Sequence, residues 1–131
     1  MSRERWRDWY EQSKRDRQKA MVDIEHGFHD WACFTLQQAA EKSLKALGLK
    51  LGIELWGHSI NELTAVLSET LPVPDSLKEC AKILDFFYIP TRYPNGFPQG
   101  KPADFFTAKQ SQEALNAADE IIRFCESSLL K

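Results

Sequence analysis

Apolar residues along the chain return at intervals of three and four, in blocks separated by glycine and proline. From Trp31 to Gly52, Ala32, Leu36, Ala39, Ala40, Leu44, Leu47 and Leu51 share one stripe at about 3.6 residues per turn, which predicts a helix buried along one face. This is the expected core helix. Its small residues Ala32, Ala39, Ala40 and Ala46 would let neighbouring backbones approach closely, while Gln37, Gln38, Glu41, Lys42 and Lys45 form a polar edge. Ahead of it, Trp6, Tyr10, Ser13, Arg17, Ala20 and Ile24 repeat on one face of a helix running from about Arg3 to His26. Gly27 interrupts the pattern, so a tight reversal over Gly27 to Asp30 should return the core helix antiparallel.

The core helix should stop between Gly48 and Gly57, although Leu49, Leu51, Ile53, Leu55 and Trp56 are too apolar for a free linker. Ser59-Ile60-Asn61-Glu62 has the Ser-x-x-Glu form of a capping box and precedes Leu63, Val66 and Leu67 at helical spacing. Pro72 and Pro74 break that helix. Asp75 can cap the next, which carries Leu77, Cys80, Ala81, Leu84 and Phe87 and ends before Pro90. Thr107 to Gln110 is a second capping box, followed by Leu115, Ala118, Ile122, Cys125 and Leu129. No segment alternates as a strand would, so the pattern predicts an all-α, antiparallel up-and-down bundle of four to five helices in a single domain, 1–131. A long loop precedes the last helix. From Ile89 to Phe106, Pro90, Pro94, Pro98 and Pro102 forbid a persistent helix or sheet, while Tyr93, Phe97, Phe105 and Phe106 predict an ordered segment, either an apolar lid or a site wall. Pro94-Asn95-Gly96 predicts a turn that presents Arg92 and Tyr93 on one side.

Composition narrows the function classes. A mean hydropathy of -0.45 with no long apolar run excludes a membrane-spanning helix, and the polar start after Met1 predicts a cytoplasmic protein. Cys33, Cys80 and Cys125 lie far apart in helical apolar patterns and read as reduced, buried thiols. A net charge of -2 argues against holding nucleic acid by bulk electrostatics. Residues 1–19 nevertheless hold seven Lys or Arg against four acids, read as a solvated helix face. A di-metal bundle needs two Glu-x-x-His pairs and further carboxylates, whereas here there is only Asp23-x-x-His26 with His29 beyond, so no metal or cofactor is expected.

An aromatic-Ala pair, then QQAAEKSLKAL, then Gly57-His58-Ser59, together resemble the HEPN domain, named for higher eukaryotes and prokaryotes nucleotide binding. The resemblance spans nearly the whole chain. It implies a small helical bundle that pairs into a homodimer or higher homo-oligomer and works beside a small nucleotidyltransferase, as in toxin–antitoxin pairs, or cleaves RNA. The nuclease branch uses an Arg followed after four to six residues by His. Here Arg92 is followed at those positions by Phe97, Pro98 and Gln99, and the histidines are His26, His29 and His58. The resemblance therefore implies the branch that binds a nucleotide or RNA end without cutting it. Arg92 offers a planar fork for phosphate, Tyr93 a stacking face, and Lys42 and Lys45 added charge, although Lys45 also stands at the spacing of a helical ion pair with Glu41. His58 and Ser59 are expected at a structural turn, the imidazole buried against backbone near a helix start. Two alternatives remain: a ligand-free homodimerising module that uses Trp6, Trp9, Tyr10, Trp31 and Trp56, and a divergent HEPN ribonuclease.

Overall fold

The computed structural model describes residues 2–131, which contain no strand. A 3-10 turn over Arg3–Arg5 leads into α1 (Trp6–Glu25), α2 (His29–Leu51), α3 (Ile60–Leu67), α4 (Asp75–Phe86), the single-turn α5 (Pro102–Phe105) and α6 (Ala108–Leu129). The chain is an all-α bundle organised on α2, which packs most extensively against α1 and α6 and also meets α3, α4 and α5. Ala32, Leu36, Ala39, Ala40, Leu44 and Leu47 are fully buried, as the stripe predicts, and so is Ala46. Burying each leucine contributes about 1.5–3 kcal/mol. The small residues admit α1 closely enough for the Ser13 hydroxyl to donate to the Ala39 carbonyl at 2.6 Å.

The stripe ends before Leu51, which is 38% exposed. There Gly52 turns left-handed, at φ +74°, and sends Ile53 and Leu55 back over α2. A Cβ at Gly48 would stand 2.8 Å from Leu55 Cδ1 and 2.9 Å from the Ile53 carbonyl, so this crossing needs glycine. The reversal between α1 and α2 turns on Gly27, at φ +81°, and α2 starts at His29, two residues before Trp31.

Ser59 caps α3, its hydroxyl oxygen accepting from the Glu62 amide at 3.2 Å. Two other amides of that end reach across to α4: Asp85 accepts from Ile60 N at 2.6 Å and Asn61 N at 3.1 Å, and also from the Ser59 hydroxyl at 2.9 Å. Pro74, rather than Asp75, occupies the cap position of α4; Asp75 is its first helical residue. Thr107 makes the predicted reciprocal box, its hydroxyl oxygen accepting from Gln110 N at 3.4 Å and the Gln110 side chain from Thr107 N at 2.9 Å.

The proline-rich loop is ordered, and it contains two short helical turns that the proline spacing was not expected to allow. Pro94–Gly96 forms a 3-10 turn and Pro102 opens α5, where its missing N–H would have had no partner anyway. Phe97 stacks on Phe105 at 4.3 Å between centroids, and Phe106 is buried edge-on to Phe87 at 5.8 Å. Phe87 and Phe106 belong to the buried core, and Phe97 packs against it. Cys33, Cys80 and Cys125 are free and buried, and burial pushes each thiol up to about 12.

Candidate functional site

Helix α4 stops at Phe86, four residues before Pro90, which has no N–H to continue it. The chain then turns tightly on itself. The Thr91 hydroxyl donates to the Phe87 carbonyl at 2.6 Å, the Arg92 amide to Ile89 O at 3.1 Å, and Arg92 Nε to Tyr88 O at 3.0 Å. These bonds aim the guanidinium at three rings, with its carbon 4.3 Å from the Phe34 centroid, 4.7 Å from Tyr88 and 5.1 Å from Tyr93. Each such contact is worth about 0.5–1 kcal/mol near the surface. Arg92 has no carboxylate partner among the described residues, and its terminal nitrogens keep their N–H groups unpaired. A planar, positively charged fork is thereby held open on an aromatic shelf.

Beside it, Gly57 at φ +86° turns the chain so that His58 lies over α2. The imidazole stacks on the same Tyr88 ring at 5.1 Å and 18°, and its Nδ1 lies 3.0 and 3.1 Å from the two oxygens of Glu41. Glu41 is only 4% exposed although it was expected on a polar edge; Gln37, also expected there, is fully buried and donates to the His58 carbonyl at 3.0 Å. Lys45 donates to Oε2 of the same carboxylate at 3.1 Å. A buried carboxylate therefore holds the Nδ1 edge of His58 while the side chain itself is 56% exposed. This corrects the expectation of a buried histidine bonded to backbone. Ser59 and Asp85 already satisfy the helix start, which leaves the ring free to meet Glu41.

The sequence-selected residues divide accordingly. Arg92 and Tyr93 come together, with Tyr93 48% exposed. Lys42 and Lys45 do not join them as free charges. Lys42 pairs with Asp16 of α1 and Lys45 with Glu41, so both cations are neutralised within the chain. Phe34, Tyr88 and Glu41 are the site residues that sequence reasoning passed over. The Tyr88-to-Arg92 spacing of one turn could have signalled one of them; the others depend on the long-range return of the chain. Trp31 extends the shelf, edge-on to Phe34 at 6.4 Å and 51% exposed.

Elsewhere the surface is a poor site for phosphate or metal. A groove of about 540 Å³ between α4 and α6 is lined by Glu79, Glu113, Asp119 and Glu120 with the single cation Arg123, and its acidity opposes an anion. No group of three or more metal-ligating side chains gathers among the described residues.

The fold and this shelf define a helical-bundle domain with an arginine set among aromatic rings. A family model for the HEPN domain matches residues 6–128, so the chain belongs to the HEPN family. A crystal structure of a Thermus thermophilus protein superposes with a TM-score of 0.91 at 46% identity, covering 94% of this chain and 97% of that one. An archaeal HEPN homologue gives 0.80 at 34% identity over 94% and 96% of the two chains. A HEPN domain protein of Thermotoga maritima gives 0.78 at 35% over 95% and 98%. No curated protein matches the chain. No described helix is long and apolar enough to cross a membrane.

Proposed function

We propose that this HEPN domain is a cytoplasmic homodimer that binds a nucleotide or RNA end through Arg92 and Tyr93 and serves as partner of a small nucleotidyltransferase. The observation that carries the reading is the Arg92 guanidinium, fixed by Tyr88 O and three rings yet left with unpaired terminal N–H groups. Such a fork donates two hydrogen bonds to a phosphate while an exposed ring stacks on the base. Lys42 and Lys45 drop out of the binding set because each already faces a carboxylate. Exposed Trp31, Ile89 and Tyr93 around the shelf support a surface that a second copy or a partner covers. The test is equilibrium binding of a fluorescent nucleotide. Replacing Arg92 by Ala should weaken it about 10- to 100-fold, the loss of charge-assisted hydrogen bonds worth about 1.5–3 kcal/mol. Unchanged affinity would remove Arg92 from the site.

A second reading, a divergent ribonuclease, is favoured by one observation. His58, oriented by Glu41, shares the Tyr88 ring with Arg92 and offers an acid–base group that the linear motif lacks. RNA cleavage that disappears in His58→Ala would support this reading over simple binding.

A further inference from the structure

Helix α6 meets its neighbours differently on two flanks. Toward α1, cations of the neighbour answer acids of α6: Arg17 Nε reaches Asp119 at 2.6 Å and Lys14 Nζ reaches Glu126 at 3.3 Å. These two acids stand seven residues apart, two turns along one side of the helix. Toward α4 the same spacing recurs in Glu113 and Glu120, without the cations. Among the described residues Glu113 is in no ion pair, and Glu120 accepts from the Cys80 thiol at 2.6 Å. On α4, Glu79 meets only Lys82, at 3.8 Å with both side chains exposed. These acids rim the groove of about 540 Å³ between α4 and α6, where the buried Cys80 and Ala117 and the half-buried Ile83 supply an apolar lining.

We propose that this groove docks a helix of a partner protein, one that carries lysine or arginine at seven-residue spacing beside an apolar stripe. The shape asks for a helix, because a channel between two packed helices takes the side-chain ridge of a third, and the small Cys80 and Ala117 let its backbone come close. The charge asks for a basic one. Both oxygens of Asp119 are taken by Arg17, which leaves Glu79, Glu113 and Glu120 against the single cation Arg123. Glu113 and Glu120 lie about 10.5 Å apart along the axis, so cations two turns apart on the incoming helix answer both, while its apolar residues cover Ile83 and Ala117. Arg123 follows Glu120 by one turn and reverses the sign there, which orients the partner with its basic turns toward Glu113. The chain already holds α1 on α6 by the same device. This docking surface shares no residue with the Arg92 shelf and does not rest on the nucleotide reading.

The probes are three fluorescein-labelled synthetic peptides of about four helical turns, titrated against the full chain by fluorescence anisotropy at about 50 mM salt. One has a leucine stripe flanked by lysines seven residues apart. The second has the same composition in an order that destroys the helical period, and the third replaces each lysine by glutamate. The first should bind at least about ten-fold more tightly than either of the others, and higher salt should weaken it. Reversing two exposed rim charges, Glu79→Lys with Glu113→Lys, should cost at least about ten-fold in its affinity. The same change of net charge at exposed positions away from the groove, Glu54→Lys with Glu69→Lys, should leave the affinity within about two-fold. Arg92→Ala should leave it unchanged. Equal binding of the scrambled peptide would show charge attraction without helix docking and overturn the proposal. So would affinity that survives the Glu79 and Glu113 reversals, or no binding of the lysine helix at about 0.5 mM protein, and in each case nucleotide binding at the shelf would stand or fall separately.

Discussion

Asp85 holds the site's geometry from a distance, and replacing it gives a measurable loss. Its carboxylate accepts from two amides at the start of α3 and from the capping hydroxyl, at 2.6, 3.1 and 2.9 Å. Asp85→Ala leaves Ile60 N and Asn61 N without their acceptor and removes a negative charge from the positive end of a helix. A lost cap costs about 0.5–2 kcal/mol and the charge at a helix start about 0.3–1 kcal/mol. Because Ile60 is fully buried, its amide has poor access to water, so the total is set toward the upper end, about 2–3 kcal/mol. For a chain of 131 residues the unfolding entropy is about 0.27 kcal/mol per kelvin, so the melting temperature should fall by about 7–11 °C. Asp85→Asn, which keeps one acceptor, should lose about half of that. Thermal unfolding followed by far-ultraviolet circular dichroism reads both variants. An Asp85→Ala protein that melts within about 1 °C of the parent would refute the cross-helix cap.

Gly48→Ala should destabilise by about 1–3 kcal/mol, because its Cβ would meet Leu55 Cδ1 at 2.8 Å and the Ile53 carbonyl at 2.9 Å; urea unfolding with no loss would show that the 53–55 segment moves aside freely. Stability should fall as pH rises above the ordinary thiol range, since burial pushes Cys125 up to about 12 in the folded chain while the unfolded thiol ionises near about 8.5. The unfolded state then binds fewer protons, costing about 1.4 kcal/mol per pH unit from this residue; urea midpoints at about pH 8, 9 and 10 should decline, and the decline should be shallower in Cys125→Ala.

Much of the fold could be read in the sequence because it follows from local rules. The apolar stripe of α2, the Gly27 reversal, and the Ser59 and Thr107 caps each depend on residues within a few positions of one another. Leu51 left the stripe because Gly52 ends the helix and Ile53 and Leu55 cover α2 at Gly48, a choice made by close packing rather than by period. The site was legible only in part. Arg92 and Tyr93 stood out as a cation and a ring in an ordered loop. The partners of Arg92 on α2 and of His58 at Glu41 lie 58 and 17 residues away, and no spacing rule connects them. Lys42 and Lys45 looked available because the facing Asp16 belongs to another helix and because a helical ion pair is indistinguishable in sequence from two exposed charges.

The measurement that tests the central claim most directly is residue-resolved NMR of the isotope-labelled protein titrated with a nucleoside monophosphate. Binding at the shelf predicts shifts concentrated on Phe34, His58, Tyr88, Arg92 and Tyr93, with the Arg92 side-chain Nε–H among them. Shifts confined to the acidic groove around Glu113 and Glu120, or no shifts at saturating ligand, would contradict it.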